Sequence, residues 1–439
     1  MLAKLLAAWV LLGVLTQFSG AWYWPIQPRE LYSTDGMQPY GTGFRYQLWI
    51  VIVLLFLQQV ALAGAGRFYA AAFAVFLPFL FVGLLSGILG PDPVLSLRIL
   101  AFWWLMATAV VCAVQPLRFQ DISWVLCGYF LAVLLLSALT AVLAPRIGTS
   151  LYETETVWRG IFYHKNQLAP VAAWGVLLAV LMGRRWWLPI RASIVVLGLA
   201  ALVLSGSQGS LVTLVGCFCY VLAIGAVRLL PLPPTVKAGM TIVGLAMVAA
   251  LAVAHWSDLT TALGRDPTLT GRTLIWSVYL GPMRDHWLIG AGPGMFTGIS
   301  PVTDRLVDLI PRQYGDIWNV HSLYLALFGE AGLLGVIAYL AVLLGMAFCL
   351  PFYNERKFAL MAGVGAFWLL SGGVIEQRGV FVPSFDGLMM LLFWALHVKY
   401  RRHRPEVTAS TLARSAPPGY AHRPRSGDHN PTASEPRRW

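Results

Sequence analysis

Arg272 and His321 are the two residues whose types and positions best suit chemistry on an anion. Arg272 lies in the run Thr270-Gly271-Arg272-Thr273-Leu274-Ile275-Trp276, within a polar stretch, 256–320, that interrupts an otherwise membrane-hydrophobic sequence. His321 stands where the next apolar run begins, followed by Ser322-Leu323-Tyr324-Leu325. Arginine offers a planar, permanently charged fork of donors that matches phosphate oxygens. Imidazole titrates near neutrality and can accept a proton from a reacting hydroxyl. One polar stretch thus brings an anion holder and a potential base to a membrane surface.

Two further clusters fall on the same side of the chain. The loop Tyr152 to Gln167 holds Trp158, Arg159, Phe162, Tyr163, His164, Lys165 and Asn166. It admits two readings: aromatic and lysine anchoring at the membrane interface, or a basic ledge for a phosphate or sugar. The short turn Ser205-Gly206-Ser207-Gln208-Gly209-Ser210 serves at least to reverse the chain, and its glycines can also turn backbone N–H groups toward an anion.

Leu274, Ile275, Val278 and Tyr279 recur at helical spacing, which predicts an amphipathic helix over Gly271 to Met283 lying on the membrane surface, capped by Thr270. A cation in its first turn opposes the helix dipole, so Arg272 is better explained by a bound anion than by helix stability. Arg284 and His286 read as surface residues. Glu330, flanked by Gly329, Gly332 and Gly335, reads as a hydrogen-bonded brace between closely packed segments.

These residues need a membrane scaffold. The sequence is 58% hydrophobic and only 11% charged, with mean hydropathy +0.70, which excludes an ordinary soluble domain. Apolar runs long enough to span a bilayer lie at 4–20, 46–63, 67–90, 98–115, 122–143, 167–182, 188–205, 209–227, 238–255, 321–349, 358–375 and 384–398. The expected fold is therefore all-α and polytopic, with about twelve transmembrane helices. Expected divisions are 1–255, with an outer loop at 144–166; the large outer loop 256–320; three further spans in 321–398; and the tail 399–439. The first run resembles a signal peptide, but Gln17-Phe18-Ser19-Gly20 is a poor cleavage site, and a retained helix is expected.

Counted alternately from an inner N-terminus, the inner loops collect Arg67, Arg118, Arg184, Arg185, Arg191, Arg228, Lys237, Arg356 and Lys357, as the positive-inside rule requires. The net charge of +12 owes much to the tail, whose Pro, Ser, Arg and His content predicts disorder and contact with anionic lipid rather than nucleic acid. The five cysteines all fall inside apolar runs, so no outer disulfide is expected; Cys217 and Cys219 should face different sides of one helix.

The segments from Trp158-Arg159-Gly160 through His164-Lys165-Asn166, then Thr270-Gly271-Arg272 with Trp276, then His321 to Gly335 resemble the O-antigen ligase superfamily. The wording is nearest to the exopolysaccharide-polymerase branch, and the resemblance covers about residues 150–345. It implies a bacterial inner-membrane glycosyltransferase whose site faces the periplasm. The donor is a glycan on a polyprenyl diphosphate, and the acceptor is a sugar hydroxyl on another glycan or on lipid A–core. By resemblance, Arg272 binds diphosphate and His321 is the catalytic histidine. Family members often carry a further arginine where this chain has Gln208, so Lys165 or Arg159 becomes the candidate second cation.

Inverting displacement is expected, without a cofactor. No Asp-X-Asp pair lies in the outer loops to hold a metal-bound diphosphate, and metal independence is expected. A chain-length regulator is a possible partner. The alternatives are a lipid-linked glycan flippase, which internal repeats and midplane ionisable residues would favour, and a non-catalytic scaffold, which would leave Arg272 and His321 unexplained.

Overall fold

Apolar runs in a bilayer fold as helices because lipid offers no partners for backbone N–H and C=O groups, and a helix satisfies them internally. The computed structural model describes residues 2–21, 42–152, 155–182, 187–255, 272–298, 300–310, 320–353, 357–374, 376 and 380–401. The apolar runs become α1 (Leu2–Ser19), α2 (Thr42–Leu57, continued by a π turn), α3 (Gly66–Leu89), α4 (Pro93–Val114) and α5 (Phe119–Leu143). They continue as α6 (Lys165–Leu181), α7 (Leu188–Leu204), α8 (Gln208–Arg228) and α9 (Pro234–Ala254). After the long polar stretch, which contributes α10 (Arg272–Asp285), come α11 (Leu323–Tyr353), α12 (Lys357–Gly372) and α13 (Phe385–Arg401).

Among the described residues, six of these helices are long and apolar enough to cross a membrane: α1, α3, α4, α5, α8 and α11. Helices α6, α7 and α12 are shorter but apolar, as are stretches of α2 and α9. The protein is a polytopic, all-α membrane protein.

Pairwise helix contacts set the frame: α6 against α7, α5 against α7, α8 against α12, and α11 against both α3 and α12. Trp174 on α6 lies against Trp368 on α12, with centroids 4.9 Å apart, and donates its indole N–H to Asp386 of α13 at 2.8 Å. That bond gives the buried carboxylate a partner, which burial of a charged group demands. At the opposite end of α13, Lys399 donates to the carbonyls of Val114, Gln115 and Leu117 at 2.8, 2.9 and 2.6 Å. Those carbonyls belong to the end of α4 and the turn after it, where a cation also suits the helix dipole. The tail beyond residue 401 lies outside the described residues. Cys217 is buried and Cys219 exposed, as a two-residue separation on a helix requires.

One local element is new and one local expectation needs correction. The outer loop 144–166 carries an element that the sequence does not announce: β1 (Thr149–Tyr152) and β2 (Glu155–Trp158) form an antiparallel hairpin, pairing Thr149 with Trp158 and Tyr152 with Glu155. Helix α10 exists, but the apolar face expected to meet a membrane surface is covered by protein. Ile275, Tyr279 and Met283 are buried in a second core with Met295, Phe296, Leu306, Ile310, Val320 and Ala326, while Leu274 points outward. The helix therefore rests on its own loop and on the start of α11. Thr270, the expected cap, lies outside the described residues.

Candidate active site

Three element ends converge on the site. Helix α10 starts at Arg272, whose Nη2 meets Glu376 Oε1 at 3.0 Å; the two side chains are 20% and 23% exposed. Glu376 follows α12 and is held there by its backbone N–H, which donates to the Gly372 carbonyl at 3.2 Å. The start of α11 grips the same helix end: Leu323 N–H donates to Gly373 O at 2.8 Å, and the Tyr324 hydroxyl donates to Leu370 O at 2.6 Å. His321, two residues before α11, thereby shares a scaffold with Glu376. Helix α10 is tied to that scaffold by the Trp276 indole, which donates to Val320 O at 3.0 Å.

His321 is the one non-glycine residue with positive φ, +48°, among the described residues. Its burial pushes the imidazole below the ordinary value of 6.5; Glu376 pulls it up, and Arg272 and His164 push it down again. The neutral ring is favoured, which is the form a general base needs. His164 is lowered in the same way, first by burial and then by Lys165, with Glu376 opposing and Arg159 adding to the fall. Arg272, His321, Glu376, His164, Lys165 and Arg159 are thus linked electrostatically, directly or through one neighbour.

The ledge residues differ in what they can still do. His164 caps α6, its Nδ1 accepting from Asn166 N–H at 3.2 Å, and Lys165 is only 7% exposed at the first position of that helix. Arg159 is turned back: its Nε donates to Ile147 O at 2.8 Å, closing the base of the hairpin. Gln208 opens α8 beside a turn in which Gly206 (φ +62°) faces Val157 of β2. Among the described contacts none joins Gln208 to the Arg272–Glu376 pair. Arg284 and His286 are exposed, consistent with surface roles.

Further along, α11 is tied to the segment that follows α10. Helix α11 is broken at Gly332 (φ +61°, ψ −167°), a conformation open essentially to glycine. The segment after α10 fills the break. Ala291 and Gly292 N–H groups donate to Gly329 and Glu330 carbonyls at 2.8 and 3.0 Å, and Leu333 and Leu334 N–H groups donate to Trp287 and Leu288 carbonyls at 2.8 and 3.1 Å. Glu330, fully buried, accepts from Phe296 N–H at 3.3 Å and the Thr297 hydroxyl at 2.6 Å. The brace expected of Glu330 is present, holding a loop rather than a second transmembrane helix.

Glu376 was missed in the sequence. An anionic ligand calls for cations, and a lone carboxylate at the mouth of a span carries no motif. The signal was there: alternate counting puts the end of the 358–375 run on the same side as His321, one residue before Glu376.

A family model described as O-antigen ligase matches residues 193–340, a stretch that contains Gln208, Arg272 and His321 but neither the ledge nor Glu376. Over 413 residues the chain is 27% identical to the exopolysaccharide production protein ExoQ of Rhizobium meliloti (strain 1021), a match spanning 87% of this chain and 90% of that protein.

Proposed function

We propose that this membrane protein, an O-antigen ligase family member by its residues 193–340 and a distant homologue of ExoQ, is a glycan polymerase. It would move a glycan from a polyprenyl diphosphate to a sugar hydroxyl on a growing exopolysaccharide. The observation that carries this reading is the convergence of Arg272 and a neutral-favouring His321 from two separate helix starts on one carboxylate, Glu376. The name of the relative favours exopolymer synthesis over transfer to lipid A–core.

His321 takes the proton of the acceptor hydroxyl as its oxygen bonds to the anomeric carbon. The bond from that carbon to the diphosphate oxygen breaks, and the electron pair leaves with the polyprenyl diphosphate. A single displacement inverts the anomeric centre. Arg272, with one donor on Glu376 and further donors in its fork for the ligand, stabilises the growing charge on the leaving group in a partly dry site. This cation does the work that a metal does elsewhere, so transfer is expected to survive EDTA. The apolar helices, about twelve of them, would all cross the inner membrane, with the site at the periplasmic face.

The test is deletion of the gene, analysis of surface glycans, and complementation. Loss of long extracellular polymer with intact lipopolysaccharide supports the polymerase; lipid-linked chains that accumulate without reaching lipid A–core support a ligase instead. His321→Ala and Arg272→Ala should each abolish complementation while the proteins reach the membrane at normal levels. Full activity in both sinks the site assignment.

A further inference from the structure

We propose that Trp276 is a positioning residue for His321, its indole N–H holding the carbonyl of Val320 so that the next residue stays in a left-handed backbone conformation. The inference deepens the reading above and rests on His321 being the base.

The starting point is a strained residue. A side chain with φ near +50° costs energy relative to the ordinary regions, more so for a residue other than glycine, and such a conformation persists only where surroundings enforce it. His321 has φ +48° while Ser322, directly after it, is extended, so the chain turns sharply at the imidazole. On the far side the turn is secured by Leu323 N–H to Gly373 O at 2.8 Å. On the near side it is secured by Trp276 Nε1–H to Val320 O at 3.0 Å. Val320 is fully buried, so its carbonyl loses much of its access to water if the indole is removed. These two bonds bracket His321.

Trp276 lies one turn beyond Arg272 on α10, so one helix sets both the guanidinium and the backbone that carries the imidazole. Tryptophan is a costly choice for a mere gap-filler on a partly exposed helix, and its indole offers one donor and no acceptor. The partner it reaches is the peptide whose rotation would swing His321 out. With that bond lost, the backbone can relax to an ordinary conformation and carry the ring toward water. It would then leave the charged and titratable groups that face it: Glu376 after α12, Arg272 at the start of α10 and His164 before α6.

The test uses the full-length protein in liposomes, with membranes of the deletion strain supplying the accumulated lipid-linked donor. Transfer rate is followed against pH. In the unaltered protein the acidic limb should lie below the ordinary imidazole value of 6.5, because burial disfavours the protonated ring. Trp276→Phe keeps an aromatic ring but removes the N–H. It should slow transfer by up to about 100-fold, the scale of a misplaced reacting group, and move the acidic limb up toward that ordinary value. If Trp276→Phe fails to fold, the benzothiophene analogue of tryptophan, with sulfur in place of N–H, keeps the shape and gives the same readout. A slower rate with an unmoved limb overturns the proposal, since that is what a purely structural tryptophan would give; so does an unchanged rate. His321→Ala separates the two levels. Full transfer in His321→Ala overturns the catalytic reading itself, whereas its loss beside normal behaviour of Trp276→Phe overturns only the positioning role.

Discussion

The first half of α11 contains a clasp at Gly332 and, just before its start, the site mouth at His321. At the clasp, carbonyl and N–H groups released by the break find partners in residues 287–292, and the buried Glu330 is braced by Phe296 and Thr297. At the mouth stand a strained histidine, a partly exposed Arg272–Glu376 pair, and imidazoles held toward neutrality by burial. Backbone groups paired across the break hold geometry, whereas partly exposed charged groups can still gain from a ligand. The difference separates what keeps the fold from the groups proposed to do chemistry. It also tells which substitutions should lower stability and which should lower activity alone.

Gly332→Ala should have the largest effect. A Cβ there would stand 2.3 Å from the Leu288 carbonyl carbon and 2.4 Å from Ile289 N, and the backbone conformation excludes ordinary side chains. We expect a loss of about 3 kcal/mol or more, read as a sharply lower thermal midpoint or no folded protein after detergent extraction. His321→Ala, by contrast, should unfold at the normal temperature and yet be inactive. A stable, active Gly332→Ala would break the distinction between clasp and mouth.

Thr297→Val comes next. It deletes the 2.6 Å hydroxyl donor to a fully buried carboxylate while preserving shape, and should cost about 1–3 kcal/mol. The same thermal measurement checks it, with activity per folded molecule staying near normal at low temperature.

The helical frame was legible because apolar runs of bilayer length have one backbone solution, and the predicted runs coincide with helices among the described residues. Arg272 and His321 were legible because their types stood out at the edges of those runs. The hairpin at 149–158 escaped because its strands are too short to give a periodic signal. The break in α11 escaped because three spaced glycines read equally well as close helix packing. Helix α10 was found by its period, but periodicity reports which face is apolar and not what covers it; the cover is Phe296, Val320 and their neighbours. Glu376 depends on α12 ending beside α10, a tertiary fact that spacing does not encode.

The ledge allows a finer test. Lys165→Met should weaken transfer on the order of tenfold, the scale of one charge-assisted hydrogen bond, if this nearly buried cation takes the place of the arginine absent at Gln208. Arg159→Met should do less to transfer, since its Nε is already engaged by the Ile147 carbonyl at the base of the hairpin. Equal losses in the two would return the second cation to an open choice between them, and a larger loss in Arg159→Met would reverse the assignment.

The smallest effect, and the most specific, is expected from Glu376→Gln. Glutamine keeps the length of the side chain and an oxygen for Arg272 Nη2 but removes the negative charge. Glu376 is the group that raises the imidazole of His321 against burial, Arg272 and His164. Without it the neutral ring is favoured further, so the acidic limb of the transfer profile should move to lower pH. This is the opposite direction from Trp276→Phe, because one change alters the charge around a fixed ring and the other frees the ring from its surroundings. Stability should hardly change, as a partly exposed pair contributes about 0–1 kcal/mol. A limb moving to higher pH in Glu376→Gln would mean that the carboxylate chiefly orients Arg272, and that its loss lets His321 reach water.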